Sequence, residues 1–209
     1  MNNAPKHLIF TQSISKNVDY NIYEKMFDNG SCIFWGHHKL SSDKSTQLKE
    51  RFESCNLKNE KKIFVIGDSH AMNLYNIIGR SNYSNFVFGY SVGGCQIGLN
   101  RMCKIYKSFE KNFLDYVKEG DVIIFHQSGS QIISDKNGDV DSNLAFYDND
   151  FSFKKNDINM IKDYLNKLSN ITKGEVIWIG PFTEYRHEFR NIAQRIKNNK
   201  SYDELLSIN

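Results

Sequence analysis

The sequence predicts an α/β protein, a three-layer α/β/α sandwich around a parallel, flavodoxin-like sheet. Three observations carry this reading. Short apolar segments recur at Lys61–Ile66, Asn85–Tyr90, Asp121–His126 and Glu175–Gly180. Segments with apolar residues at helical spacing separate them. Several of the strands are apolar throughout rather than alternating, as strands covered on both faces are.

Taken in order, residues 1–60 read as an irregular N-terminal extension packed on the domain, with a short helix near Ser45–Glu53. Lys61–Ile66 is apolar on both faces and should lie centrally. Ala71–Gly79 follows as a helix whose inner face is Met72, Leu74, Tyr75 and Ile78. After the strand Asn85–Tyr90 comes a glycine-rich loop, "SVGGCQIG". Ile105–Lys118 reads as a helix, stopped by Gly120 and followed by the strand Asp121–His126. "SDKNGDVDSN" has the composition of a surface loop. Asn156–Asn170 is helical, with Ile158, Ile161, Tyr164, Leu165 and Leu168 on one face. The strand Glu175–Gly180 precedes a long helix, "TEYRHEFRNIAQRIKN", and a short one, "SYDELLSI". In parallel sheets functional groups gather where strands end. Ser69, Gly93–Gly94, Gln127–Ser128 and Pro181–Glu184 occupy such places.

Composition narrows the function. With 209 residues, 40% hydrophobic and 13% aromatic, the chain can bury a full core. A net charge of +3 is too small to argue for a nucleic-acid partner. No apolar stretch is long enough to span a bilayer, and "MNNAPKHLIFTQSISKN" lacks the apolar core of a signal peptide. The cysteines are Cys32, Cys55, Cys95 and Cys103. They form no C-x-x-C pair, so no metal site is expected, and without G-x-G-x-x-G no dinucleotide cofactor is expected either. Two disulfides in an oxidising compartment and four reduced, mostly buried thiols are both compatible with this spacing.

The chemistry centres on Gly67-Asp68-Ser69-His70. Asp and Ser are favoured helix N-caps, so the turn can be merely structural. The same turn can present a nucleophile. A serine at a helix N-terminus has an exposed oxygen, and the free backbone N–H groups beside it stabilise an oxyanion. Gly93 and Gly94 leave room for a second N–H donor. The turn is not the G-x-S-x-G elbow of α/β-hydrolases.

"IFVIGDSHA" closely resembles the first block of SGNH (GDSL-like) hydrolases. More specifically, it is similar to the SGNH domain found C-terminal to membrane-bound O-acyltransferases of the acyltransferase 3 family, which modify polysaccharide or lipopolysaccharide. Cysteines before the block, a Gly-Cys after the second strand and the strand "GDVIIFHQSG" agree with that group, over roughly residues 30–185. The resemblance implies that Ser69 is the nucleophile and that its own N–H is an oxyanion donor. Gly94 matches the second-block glycine. Gln127 stands near the third-block asparagine and offers an amide donor. Cys32 would pair with Cys55, and Cys95 with Cys103, in a periplasmic or other extracytoplasmic setting.

The family's Asp-x-x-His dyad is not found after Ser69. Glu184-Tyr185-Arg186-His187 has the same spacing and is the nearest substitute, with His187 as base and Glu184 as its orienting carboxylate; the other reading of His187, on a helix, is a surface or half-buried histidine. His70 belongs to the serine's own turn, as a packing or hydrogen-bonding residue; His37, His38 and His126 are weaker candidates. The chain is accordingly expected to be an SGNH hydrolase-like domain over 61–209, C-terminally truncated. The implied function is O-acetyl transfer to, or removal from, a cell-surface glycan. The implied partners are an acyl donor, a glycan acceptor and a membrane-embedded acyltransferase domain. The alternatives are an inactive SGNH module that binds glycan or a partner, and a stand-alone GDSL-type esterase.

Overall fold

The computed structural model describes residues 26–37, 42–58, 61–81, 83–97, 103–134 and 152–180. In chain order these form β1 (Ile33–Gly36), α1 (Ser42–Lys58), β2 (Ile63–Gly67), α2 (Ser69–Arg80), β3 (Val87–Ser91) and α3 (Ile105–Phe113). They continue with β4 (Val122–His126), β5 (Ile133–Ser134), β6 (Ser152–Phe153), α4 (Lys155–Ile171) and β7 (Glu175–Ile179).

The main sheet runs β1-β3-β2-β4-β7 and every pairing in it is parallel. Without β1, the remaining order is second-first-third-fourth, the flavodoxin-like arrangement. β2 is central, as its all-apolar sequence predicts, and each of its residues is buried. The chain steps from β2 to β3 in one direction, then crosses back over β2 to reach β4. Right-handed crossovers therefore place α2 on one face and α1, α3 and α4 on the other.

Packing follows that division. On the α2 face, Ile63 and Val65 of β2 meet Ala71, Leu74 and Tyr75. On the other face, Phe64 and Ile66 meet Phe52 of α1, Phe109 and Phe113 of α3, and Ile161, Leu165 and Leu168 of α4. Phe52 is fully buried and its ring lies 4.8–6.2 Å from those of Phe64, Phe86, Phe88, Phe113 and Tyr116. Each such side chain contributes about 1.5–3 kcal/mol by burial, and edge-on ring pairs add to it.

Four expectations need correcting or extending. Residues 1–60 are not irregular throughout. Ile33–Gly36 is a strand paired with β3, and the helix expected at 45–53 is Ser42–Lys58. The helix expected to reach Lys118 ends at Phe113, where Leu114–Tyr116 tighten into a 3-10 turn. Val117 then turns extended and buries its side chain. Ser134, expected in a surface loop, is buried in the β5–β6 ribbon. Cys32 and Cys55 are bonded, with α-carbons 5.4 Å apart, but Cys95 and Cys103 are thiols in this structure. Nearness in sequence limits only how far apart two cysteines can be, whereas a disulfide also needs α-carbons within about 4.4–6.8 Å and β-carbons aimed at each other. The two helices expected beyond Thr183 lie outside the described residues, as does most of the "SDKNGDVDSN" loop.

Candidate active site

The carboxyl ends of the central strands lie in register: Gly67 of β2 is opposite Ser91 of β3 on one side and His126 of β4 on the other. The direction of the crossovers reverses at β2, so loops diverge here and leave a crevice. Gly67 makes the junction possible. Its φ is +146°, and a β-carbon there would stand 1.8 Å from the His126 carbonyl oxygen. Only glycine lets the chain turn so close to β4.

Asp68 caps α2, accepting the N–H of His70 at 2.8 Å. Ser69 is the first residue of that helix and is half-exposed. A hydroxyl so placed is reachable, and the first-turn N–H groups around it have no partner within the helix. The next loop is tied to this turn by the Val92 N–H, which donates to the Gly67 carbonyl at 3.3 Å. Cys95 N–H donates back to Val92 O at 3.3 Å and closes a turn containing Gly93 and Gly94. Gly94 has φ +70° and is exposed. The structure therefore brings Ser69 and Gly94 onto neighbouring loops at one edge of the sheet.

Asp68 is the buried centre of this edge, 1% exposed. Besides His70 N–H it accepts the N–H of Ser128 at 2.9 Å and the side-chain amide of Gln131. Burial pushes its carboxyl above the ordinary value of 3.8, while the Ser128 and His70 N–H groups and the imidazoles of His70 and His126 pull the other way. The two imidazole rings are 6.0 Å apart. His126 is fully buried on the α2 face, its Nδ1 3.0 Å from the Ile179 carbonyl oxygen. His70 is half-buried in the turn. Trp35 Nε1 donates to Ser91 Oγ at 3.0 Å, and the Trp35 ring lies 4.9 Å from that of His37.

Gln127 follows β4 but is fully buried, and neither atom of its amide has a hydrogen-bond partner among the described residues. It is not presented at the surface where Ser69 stands. Glu184, His187 and His38 lie outside the described residues. Among the described residues there is no group of three metal-ligating side chains, and no helix is long and apolar enough to cross a membrane. A groove of about 540 Å³ lined by Leu114, Val117, Lys118 and Ile171 sits at the opposite, amino edge of the sheet, away from Ser69.

Sequence reasoning missed Gln131, whose amide meets Asp68. It also missed Lys154, whose ammonium donates to the Ser130 carbonyl at 2.9 Å. The polar run "HQSGSQ" straight after an apolar strand was the available signal.

A family model described as the SGNH domain fused to AT3 domains matches residues 37–208. No curated protein and no solved structure matches the chain. The matched span takes in β2 to β7 and the Gly67–His70 turn, so the chain belongs to the SGNH family, a hydrolase- and acyltransferase-type domain of the kind fused to AT3 domains.

Proposed function

We propose that this domain performs acyl-ester chemistry through Ser69, accepting an acetyl group and passing it to a hydroxyl of a cell-surface polysaccharide or lipopolysaccharide, or to water. The observation that carries the reading is the half-exposed Ser69 at the first position of a capped helix, beside the strand where the crossovers reverse. Ser69 Oγ attacks the acyl carbonyl, and the N–H groups of Ser69 and Gly94 are the donors for the resulting oxyanion. The serine proton needs a base, for which the sequence offers His187, with Glu184 to orient it, as the nearest substitute for the family's Asp-x-x-His. An AT3 membrane domain is the source of the acyl group, which places this domain on the extracytoplasmic side.

The test is labelling by a fluorophosphonate and turnover of an aryl acetate by the full chain. Only slow labelling and slow turnover are expected in the parent, because a serine without the family's base keeps its proton, and neither is expected in Ser69→Ala. Robust turnover that falls by two or more orders of magnitude in His187→Ala would overturn the truncation reading and make His187 the general base, with Glu184 as its orienting carboxylate. Equal labelling of the parent and Ser69→Ala would sink the nucleophile assignment and favour a glycan- or partner-binding module.

A further inference from the structure

Three loops leave the sheet at the crevice, after β2, β3 and β4, and one side chain touches all of them. Gln131 Nε2 donates to Asp68 Oδ2 in the turn after β2, and lies 3.4 Å from the carbonyl oxygen of Cys95 in the loop after β3. Gln131 itself closes the 3-10 turn Gly129–Gln131 after β4. Its main-chain carbonyl accepts from Gln96 Nε2 at 3.3 Å, a second link between the β3 and β4 loops. The residue is nearly buried at 7%.

The chemistry of an amide suits this place. Nε2 carries two protons, one for each acceptor, whereas Oε1 would face a carboxylate and a carbonyl if the group were turned over. The 3-10 turn is held independently of that side chain. Ser128 Oγ accepts the Ser130 N–H at 3.3 Å, and Lys154 Nζ holds the Ser130 carbonyl. Removing the amide therefore leaves the turn its own supports and removes the link between loops.

We propose that Gln131 is a positioning residue of the Ser69 site. Its amide joins Asp68 to the Cys95 carbonyl, so that the first turn of α2, carrying the Ser69 N–H, and the Val92–Cys95 turn, carrying the Gly94 N–H, keep one separation. An oxyanion hole needs that constancy, because its donors act only when already aimed at the developing charge. The catalytic half of the proposal rests on the reading of Ser69 as nucleophile, and the mechanical half does not.

The experiment uses the full chain with Gln131→Leu and Gln131→Glu, followed by native-state hydrogen exchange and by fluorophosphonate labelling. Gln131→Leu is expected to raise exchange at least tenfold at His70, Ser128 and Cys95 together, with β2 and β4 unchanged. It is expected to slow labelling of Ser69 by a similar factor. In Gln131→Glu the new carboxyl and Asp68 can share one proton at pH 5 and repel at pH 8. Protection at the three amides is therefore expected at the lower pH and lost at the higher, a response that simple loss of packing does not give. Exchange that rises only within 128–131, or equally over the whole sheet, overturns the coupling, as does a pH-independent Gln131→Glu. Raised exchange at all three loops with unaltered labelling overturns the positioning role alone. A parent labelled no faster than Ser69→Ala removes the nucleophile and the positioning role together, while exchange still decides the coupling.

Discussion

Each edge of the sheet buries an aspartate, and the two are held differently. At the amino edge Asp121 is 0% exposed and its Oδ2 lies 2.9 Å from Nζ of Lys62, itself 1% exposed. The same carboxylate accepts the N–H of Lys62 at 2.9 Å and of Lys118 at 2.8 Å. At the carboxyl edge Asp68, 1% exposed, has backbone N–H donors and one amide, with imidazoles nearby but no lysine or arginine salt bridge among the described residues. A buried charge with a full countercharge is a fixed part of the frame. One held mainly by neutral dipoles can change protonation, since burial favours its neutral form. The amino edge is thus held by a full ion pair, and the carboxyl edge, where Ser69 stands, by hydrogen bonds to a carboxyl that burial pushes toward its neutral form.

The largest effect should come from breaking the amino-edge pair. Asp121→Ala leaves Lys62 buried without its countercharge, a loss of about 3–5 kcal/mol, read by denaturant unfolding. The double change Lys62→Met with Asp121→Leu should recover only part of it. The N–H groups of Lys62 and Lys118 would still lack their acceptor, at about 1–3 kcal/mol for each group left unsatisfied. Full recovery would show that the carboxylate serves Lys62 alone.

The disulfide staples the same end of the molecule, since Cys32 precedes β1 and Cys55 lies near the end of α1. A bond across a sequence separation of 23 restricts the unfolded chain by about 3 kcal/mol in the loop-entropy account. Cys32→Ser with Cys55→Ser should lose about that much in denaturant unfolding. Hydrogen exchange at His70 and Ser128 should stay unchanged. Coupled loosening of those amides would mean that the two edges are not separate.

The sequence shows these edges unequally. β2, the Gly67–His70 turn and α2 are legible because a five-residue apolar run and a capped amphipathic helix are local signals. β1 was missed: Ile33–Gly36 is short, its neighbours are polar, and its burial comes from pairing with β3 and from the disulfide. Lys62 and Asp121 flank strands like ordinary surface charges, and only parallel pairing of β2 with β4 makes them neighbours. Gln131 was missed for the same reason. Its role depends on three loops meeting, which follows from the strand order and from no spacing in the chain. The Cys95–Cys103 bridge, inferred from the family pattern, shows the converse: a pattern of residues is not yet a geometry.

A smaller effect separates the two glycines of the carboxyl edge. At Gly94 a β-carbon would meet nothing within 4 Å, so Gly94→Ala meets only the backbone penalty of φ +70°, about 1–2 kcal/mol. Gly67→Ala should lose distinctly more, because the His126 carbonyl blocks the added carbon. Calorimetric melting of the two variants checks the order. Equal losses would mean that β4 yields freely at this edge, contrary to the packing around Gly67.

The smallest effect is a slope rather than a loss. Burial holds the folded pKa of Asp68 above 3.8, whereas in the unfolded chain the group returns to its ordinary value. Between those two values the folded chain keeps a proton that the unfolded chain has released. The stability linked to this proton is complete below the unfolded value and is lost as pH rises through the folded one. Asp68→Asn removes the titration. Its amide also turns a nitrogen toward one of the N–H donors, a loss that does not vary with pH. The parent's advantage over the variant should therefore shrink from about pH 4 upward and level off once the parent is fully ionised, as followed by urea unfolding at a series of pH values. A parent that instead gains on the variant across that range would show the N–H donors outweighing burial. Asp68 would then be a firmly held ion like Asp121, and the contrast between the two edges would fall.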